Sequence, residues 1–209
     1  MIHLRRPATL HIQDGVWVPP AATLDEIDKR WDSMCASNPA CFDGELLHVL
    51  GAQRNGCGGA NVHLIPCSYR FFAVQTDAFD IGVRSLGAKG ITKFDGKYLW
   101  GKRSDSVLNY QLVWELAPAG CVEPTVKPAT TIELELQEET GLELARPPKE
   151  IALIQDPIAR TWELIYELQV KSSDLSGNHE YTELCWRESG DVPTERSPIT
   201  NDVLTLLDV

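Results

Sequence analysis

The sequence has no apolar run close to the roughly 18 residues that a membrane helix needs, so no transmembrane span is expected. Its first residues, Met1-Ile2-His3-Leu4-Arg5-Arg6-Pro7, carry charge with no apolar stretch behind them, and no signal peptide is expected. Cys35, Cys41, Cys57, Cys67, Cys121 and Cys185 include no C-x-x-C pair, and the five histidines show no ligand spacing. That argues against a zinc site and for reduced thiols in a cytoplasmic protein. Positive charge is also scarce. Nineteen Lys and Arg face thirty Asp and Glu, a formal net charge of -11. Such a surface repels phosphate backbones, which excludes long nucleic acid as a partner. A small phosphate compound stays allowed, because acidic side chains can hold Mg²⁺ and the metal then meets the phosphate.

The 209 residues are 43% apolar and 23% charged, as in a soluble globular protein. They suffice for one large domain, or for a catalytic domain behind an extension. A loose boundary near Asp77 to Asp80 divides a β-rich N-terminal extension, 1–79, from a mixed α/β unit, 80–209.

Thr23-Leu24-Asp25-Glu26 reads as a capping box opening a helix over 24–37, with Leu24, Ile27, Trp31 and Met34 on one face and Asn38-Pro39 as the stop. Strands are expected over 45–53 and 61–75, joined by a turn at Asn55-Gly56-Cys57-Gly58-Gly59. Asp95-Gly96 marks a hairpin between 85–94 and 97–102, followed by a polar loop over 104–111 and a short strand at 114–117. A helix over 130–140 ends at Gly141; strands follow at 151–155, 162–170 and 181–187, and Ser197-Pro198 opens a last helix.

The chemistry concentrates between Gly120 and Leu142. Glu135, Glu138 and Glu139 stand at i, i+3 and i+4, on one helix face. Like charges so placed repel, and a divalent cation among them reverses the sign; oxygen ligands of this kind suit Mg²⁺ or Mn²⁺. A solvated surface helix can show the same acidic face.

In its surroundings this stretch resembles the Nudix box, G-x5-E-x7-R-E-U-x-E-E-x-G-U with U aliphatic. Gly120 matches the first glycine, and Glu135, Leu136, Glu138, Glu139, Gly141 and Leu142 match the second half in register. The resemblance implies an α/β/α sandwich with a mixed sheet, and a loop-helix-loop that holds metal. It implies Glu135, Glu138 and Glu139 as metal ligands, one of them also a proton acceptor. Two positions depart from it. Val126 stands where the box has its first glutamate, and Leu134 where it has the arginine that orients the others. That departure leaves a catalytically retired nucleotide-binding module as the rival reading.

Trp31, Asn38-Pro39, Phe42-Asp43, Ser68-Tyr69-Arg70, Lys102-Arg103-Ser104 and His179-Glu180 recur in similar order in the Nudix hydrolases that act on UDP-glucose and UDP-galactose. The expected activity is therefore hydrolysis of a nucleoside diphosphate sugar to a nucleoside monophosphate and a sugar phosphate, with ADP-ribose as the alternative substrate. Tyr69 and Arg70 are expected to meet the substrate by stacking and by phosphate contact, and Lys102 and Arg103 to meet its phosphates. Gly120 would lie beside the substrate, and Glu180 stands where many of these enzymes supply a further carboxylate. An N-terminal β extension can pair with the edge of a second copy, giving a homodimer.

Overall fold

The computed structural model describes residues 1–38 and 41–207. Strands β1 (Ile2–His3) and β2 (Thr9–Ile12) lead through a 3₁₀ turn (Ala21–Thr23) into helix α1 (Leu24–Ser37). Then come β3 (Glu45–Arg54), β4 (Ala60–Ser68), α2 (Tyr69–Ala73), β5 (Ser85–Phe94), β6 (Lys97–Arg103), β7 (Trp114–Leu116) and β8 (Ala119–Cys121). Helix α3 (Pro128–Thr140), β9 (Lys149–Asp156), β10 (Thr161–Gln169), β11 (Tyr181–Glu188) and α4 (Pro198–Leu204) complete the chain.

Among the described residues, the eleven strands form one mixed sheet whose main path runs β1-β9-β10-β5-β3-β4-β2. Strand β5 is the hub. It pairs in parallel with β10 over nine residues and antiparallel with β6 and β8, and meets β3 at the single pair His48–Ser85.

Successive strand residues point to opposite faces, so a strand covered on both sides sends apolar residues to both. Strand β10 shows this: Leu164, Tyr166 and Leu168 enter one core cluster with Ile132 and Leu136 of α3, while Ile165 enters another with Ile199 and Val203 of α4. The two helices thus cover the two faces, giving the mixed-sheet α/β/α sandwich. A third cluster joins α1 and α2 to β3 and β4 through Ile27, Leu46, Cys67 and Phe71.

The Asp95-Gly96 turn has positive φ at both residues, as a two-residue hairpin requires. Gly141 closes α3 at φ 71°, its N–H bonding the Gln137 carbonyl. Three local expectations meet corrections. Tyr69 to Ala73 is helical rather than the end of a strand. The cause is distant in sequence: the Asp43 carboxylate accepts both the Ser68 hydroxyl and the Arg70 N–H, at 2.7 and 2.9 Å, and turns the chain. The capping box does not form. Thr23 Oγ1 donates to the Pro20 carbonyl at 2.7 Å, and Glu26 pairs with Arg30 at 2.6 Å. Helix α3 starts at Pro128, two residues early, because proline fits a first helical position. The expected stop at Pro39 lies outside the described residues.

Candidate active site

A cavity of about 410 Å³ opens where β5, β8 and β10 meet α3. Helix α3 buries Ile132 and Leu136 against the sheet, which turns Glu135 and Glu139 toward the cavity. Glu139 is only 2% exposed, and its carboxylate accepts the Ala119 N–H at 3.2 Å. Glu135 lies over Gly120 of β8, in space that any β-carbon there would fill. Glu163 of β10 lies in the same way over Gly87 of β5. Two glycines thus clear room for two carboxylates on one patch of sheet.

The electrostatics follow from burial without enough counter-charge. Burial pushes the Glu135 carboxyl up to about 7, helped by the charges of Glu138, Glu180 and Glu123. Glu139 moves well above the ordinary carboxylate range, first by burial and then by Glu135, Glu180 and Glu115. Glu163 is raised by burial as well, with the charge of Lys89 opposing.

Behind these lies a compensated group. Glu115 is 2% exposed and accepts from Lys89 Nζ at 2.6 Å and Arg103 Nη1 at 2.8 Å. Burial alone raises its carboxyl, but the two cations outweigh burial and hold it below the ordinary range. Lys89 and Arg103 both line the cavity, and Arg103 Nη2 stands 3.7 Å from Glu180.

Of the residues singled out in the sequence, Glu135, Glu139, Glu180, Tyr69, Arg103 and Gly120 line this one cavity. Glu138 is exposed on α3 outside its lining, one turn from Glu135. Lys102 precedes Arg103 on β6, and strand alternation turns it away. Arg70 also stands outside. Its guanidinium is bonded to Asp28 at 3.0 Å, lies 3.6 Å from Asp43 and covers the Phe71 ring. The residues that sequence reading missed are Lys89, Glu115, Asp156 and Glu163. Each is a charge inside or at the end of an apolar strand, and that was the available signal.

Among the described residues no group of three or more His, Cys, Asp or Glu stands close enough to hold a metal ion. The donor set nevertheless suits one in chemistry. It is all carboxylate oxygen, and the crowding that raises Glu135 and Glu139 would be relieved by a cation.

The sequence matches no family model and no curated protein. Solved structures do match. A MutT Nudix hydrolase from Burkholderia pseudomallei aligns over 58% of this chain and 96% of its own, with TM-score 0.52 and 20% identity. A Nudix hydrolase from Nitrosomonas europaea aligns over 57% and 66%, with TM-score 0.50 and 20% identity. A bifunctional NMN adenylyltransferase/ADP ribose pyrophosphatase from Francisella tularensis aligns over 61% and 41%, with TM-score 0.50 and 18% identity. Over rather more than half its length, this chain has the fold of the Nudix hydrolases.

Proposed function

We propose that the protein is a Nudix-type hydrolase that splits the diphosphate bond of a small nucleoside diphosphate compound. The observation that carries this is the convergence of Glu135 and Glu139, on a helix in the box register, with Arg103 and Glu180 around one cavity. Glu135 and Glu139 would hold Mg²⁺ or Mn²⁺, with Glu138 one helical turn from Glu135 and outside the cavity lining. The ion, when bound, offsets phosphate charge and makes a water more acidic.

The chain's own groups do the rest. Arg103, oriented by Glu115, presents a guanidinium to a phosphate oxygen. A cavity carboxylate accepts the proton of the attacking water. The water oxygen bonds to one phosphorus, the bridging P–O bond breaks, and two monophosphates leave. Favourable charge contacts with the phosphates carry most of the effect, because phosphoryl transfer is governed by positioning and electrostatics.

For the substrate we propose UDP-glucose or UDP-galactose, giving UMP and a hexose 1-phosphate. The support is that Tyr69, Arg103, His179 and Glu180, which recur in that branch, line the cavity. ADP-ribose is the alternative, as cleaved by the ADP ribose pyrophosphatase of similar fold. The experiment is a screen of nucleoside diphosphate compounds with Mg²⁺, scoring phosphate released by a coupled phosphatase, then kcat/KM for UDP-glucose, UDP-galactose and ADP-ribose. ADP-ribose ahead by tenfold would reject the UDP-sugar assignment alone. Binding without any turnover would instead favour a retired module, which the missing box arginine at Leu134 would explain.

A further inference from the structure

The cavity has a wall that the reaction chemistry does not use. Residues 106–110, in the connection between β6 and β7, are five consecutive positions and all line the cavity. The backbone here is unusual. Tyr110 and Leu112 have φ of 57° and 62°, in the left-handed region that bulky residues rarely enter. Such a conformation persists only where its surroundings enforce it, and it concentrates at functional positions.

The enforcing contacts are visible. The Tyr110 hydroxyl donates to the Asp156 carboxylate, 2.8 and 2.7 Å from its two oxygens. Asp156 is 3% exposed at the end of β9, and also accepts the Ile158 and Ala159 N–H groups at 3.0 Å. Asp156 is therefore itself fixed. Arg103 Nε donates to the Asn109 carbonyl at 3.2 Å, and Gln111 to the Val107 carbonyl at 3.0 Å.

Between the polar Ser106 and Asn109, this wall presents apolar side chains. Val107 is buried, but Leu108 is 46% exposed although it lines the cavity. Ala159 and Ile199 add apolar surface to the same space. The carboxylates and Arg103 answer to the charged part of a substrate. An apolar wall answers to a flat organic ring, whose faces shed water readily.

We infer that residues 106–110 recognise the organic ring borne by the diphosphate, with Leu108 in contact and Tyr110 as the positioning residue bonded to Asp156. This rests on the reading of the cavity as a diphosphate site. Ring-free and ring-bearing phosphates should then respond differently to changes in the wall.

The test is calorimetric titration of the full chain with Mg²⁺ and two probes, UMP and inorganic diphosphate. Leu108→Ala, a change at a half-exposed position that removes apolar contact, and Tyr110→Phe, which removes the bond to Asp156 that positions the wall, should each weaken UMP binding by about five- to tenfold. Inorganic diphosphate should stay within about twofold of the unaltered protein. Equal weakening of both probes, or of neither, overturns the inference. So does an unaltered protein that binds inorganic diphosphate but not UMP. If it binds neither probe, the diphosphate reading of the cavity falls as well.

Discussion

The carboxylate of Glu135 occupies the space that a β-carbon on Gly120 would need. Gly120 lies on β8, paired with Ala88 of β5, while Glu135 sits on α3, so the glycine sets how closely helix and strand approach at the cavity. Gly120→Ala must therefore displace Glu135. Because the obstructing atoms end a flexible side chain, the fold should adapt with a small change in Tm. Turnover should fall by about tenfold or more, since small displacements of positioned groups are costly. Steady-state kinetics beside a thermal melt measure both, and unchanged kcat would detach Glu135 from the reaction.

Glu115 is expected to matter first for stability. Its removal in Glu115→Ala would leave Lys89 and Arg103 buried without their shared carboxylate. Breaking a buried ion pair on one side costs about 3–5 kcal/mol. Urea unfolding followed by tryptophan fluorescence should show a loss of that order. A change below about 1 kcal/mol would mean that the two cations find water or another partner.

Glu135 gives a pH dependence with a definite sign. Its carboxyl is raised from an ordinary 4.5 to about 7, so in that interval the folded chain keeps a proton that the unfolded chain has released. Its contribution to stability is therefore lost as pH rises from about 4.5 toward 7. In protein stripped with EDTA, Glu135→Gln should be the more stable form at pH 7.5, with the difference shrinking toward pH 5. Added Mg²⁺ should raise the Tm of the unaltered protein more than that of the variant. A difference in Tm that does not change with pH would remove the buried carboxylate as its cause.

Leu134 stands at the box arginine position and is 47% exposed on α3. Leu134→Arg therefore buries no charge, and it places a guanidinium four residues before Glu138. Such a helical pair adds about 0.2–0.5 kcal/mol, at the low end when the cation precedes the glutamate. The melt should hold or rise slightly. A gain in kcat would show that the missing arginine had limited turnover. A fall of several degrees in Tm would show that Leu134 packs against the fold.

The sequence by itself determined the elements whose signals are local. The i, i+3, i+4 glutamates, Gly141 and the apolar pair Ile132 and Leu136 specify α3 and the face it shows to the sheet, because helical geometry repeats every 3.6 residues. Asp95-Gly96 specified its hairpin for the same kind of reason. Tertiary structure decided what no local period encodes. Glu163 reaches the cavity because β10 runs parallel to β5 in the register that places it beside Gly87, 76 residues earlier in the chain. Arg70 is withdrawn because Asp28 and Asp43 bind it, and Asp43 also turns Tyr69 to Ala73 into a helix. Lys102 and Arg103 are adjacent in sequence, yet pleating sends only Arg103 to the Glu115 carboxylate. Long-range register and the sharing of buried charge are set by packing among distant segments, and a residue's neighbours in sequence carry no record of them.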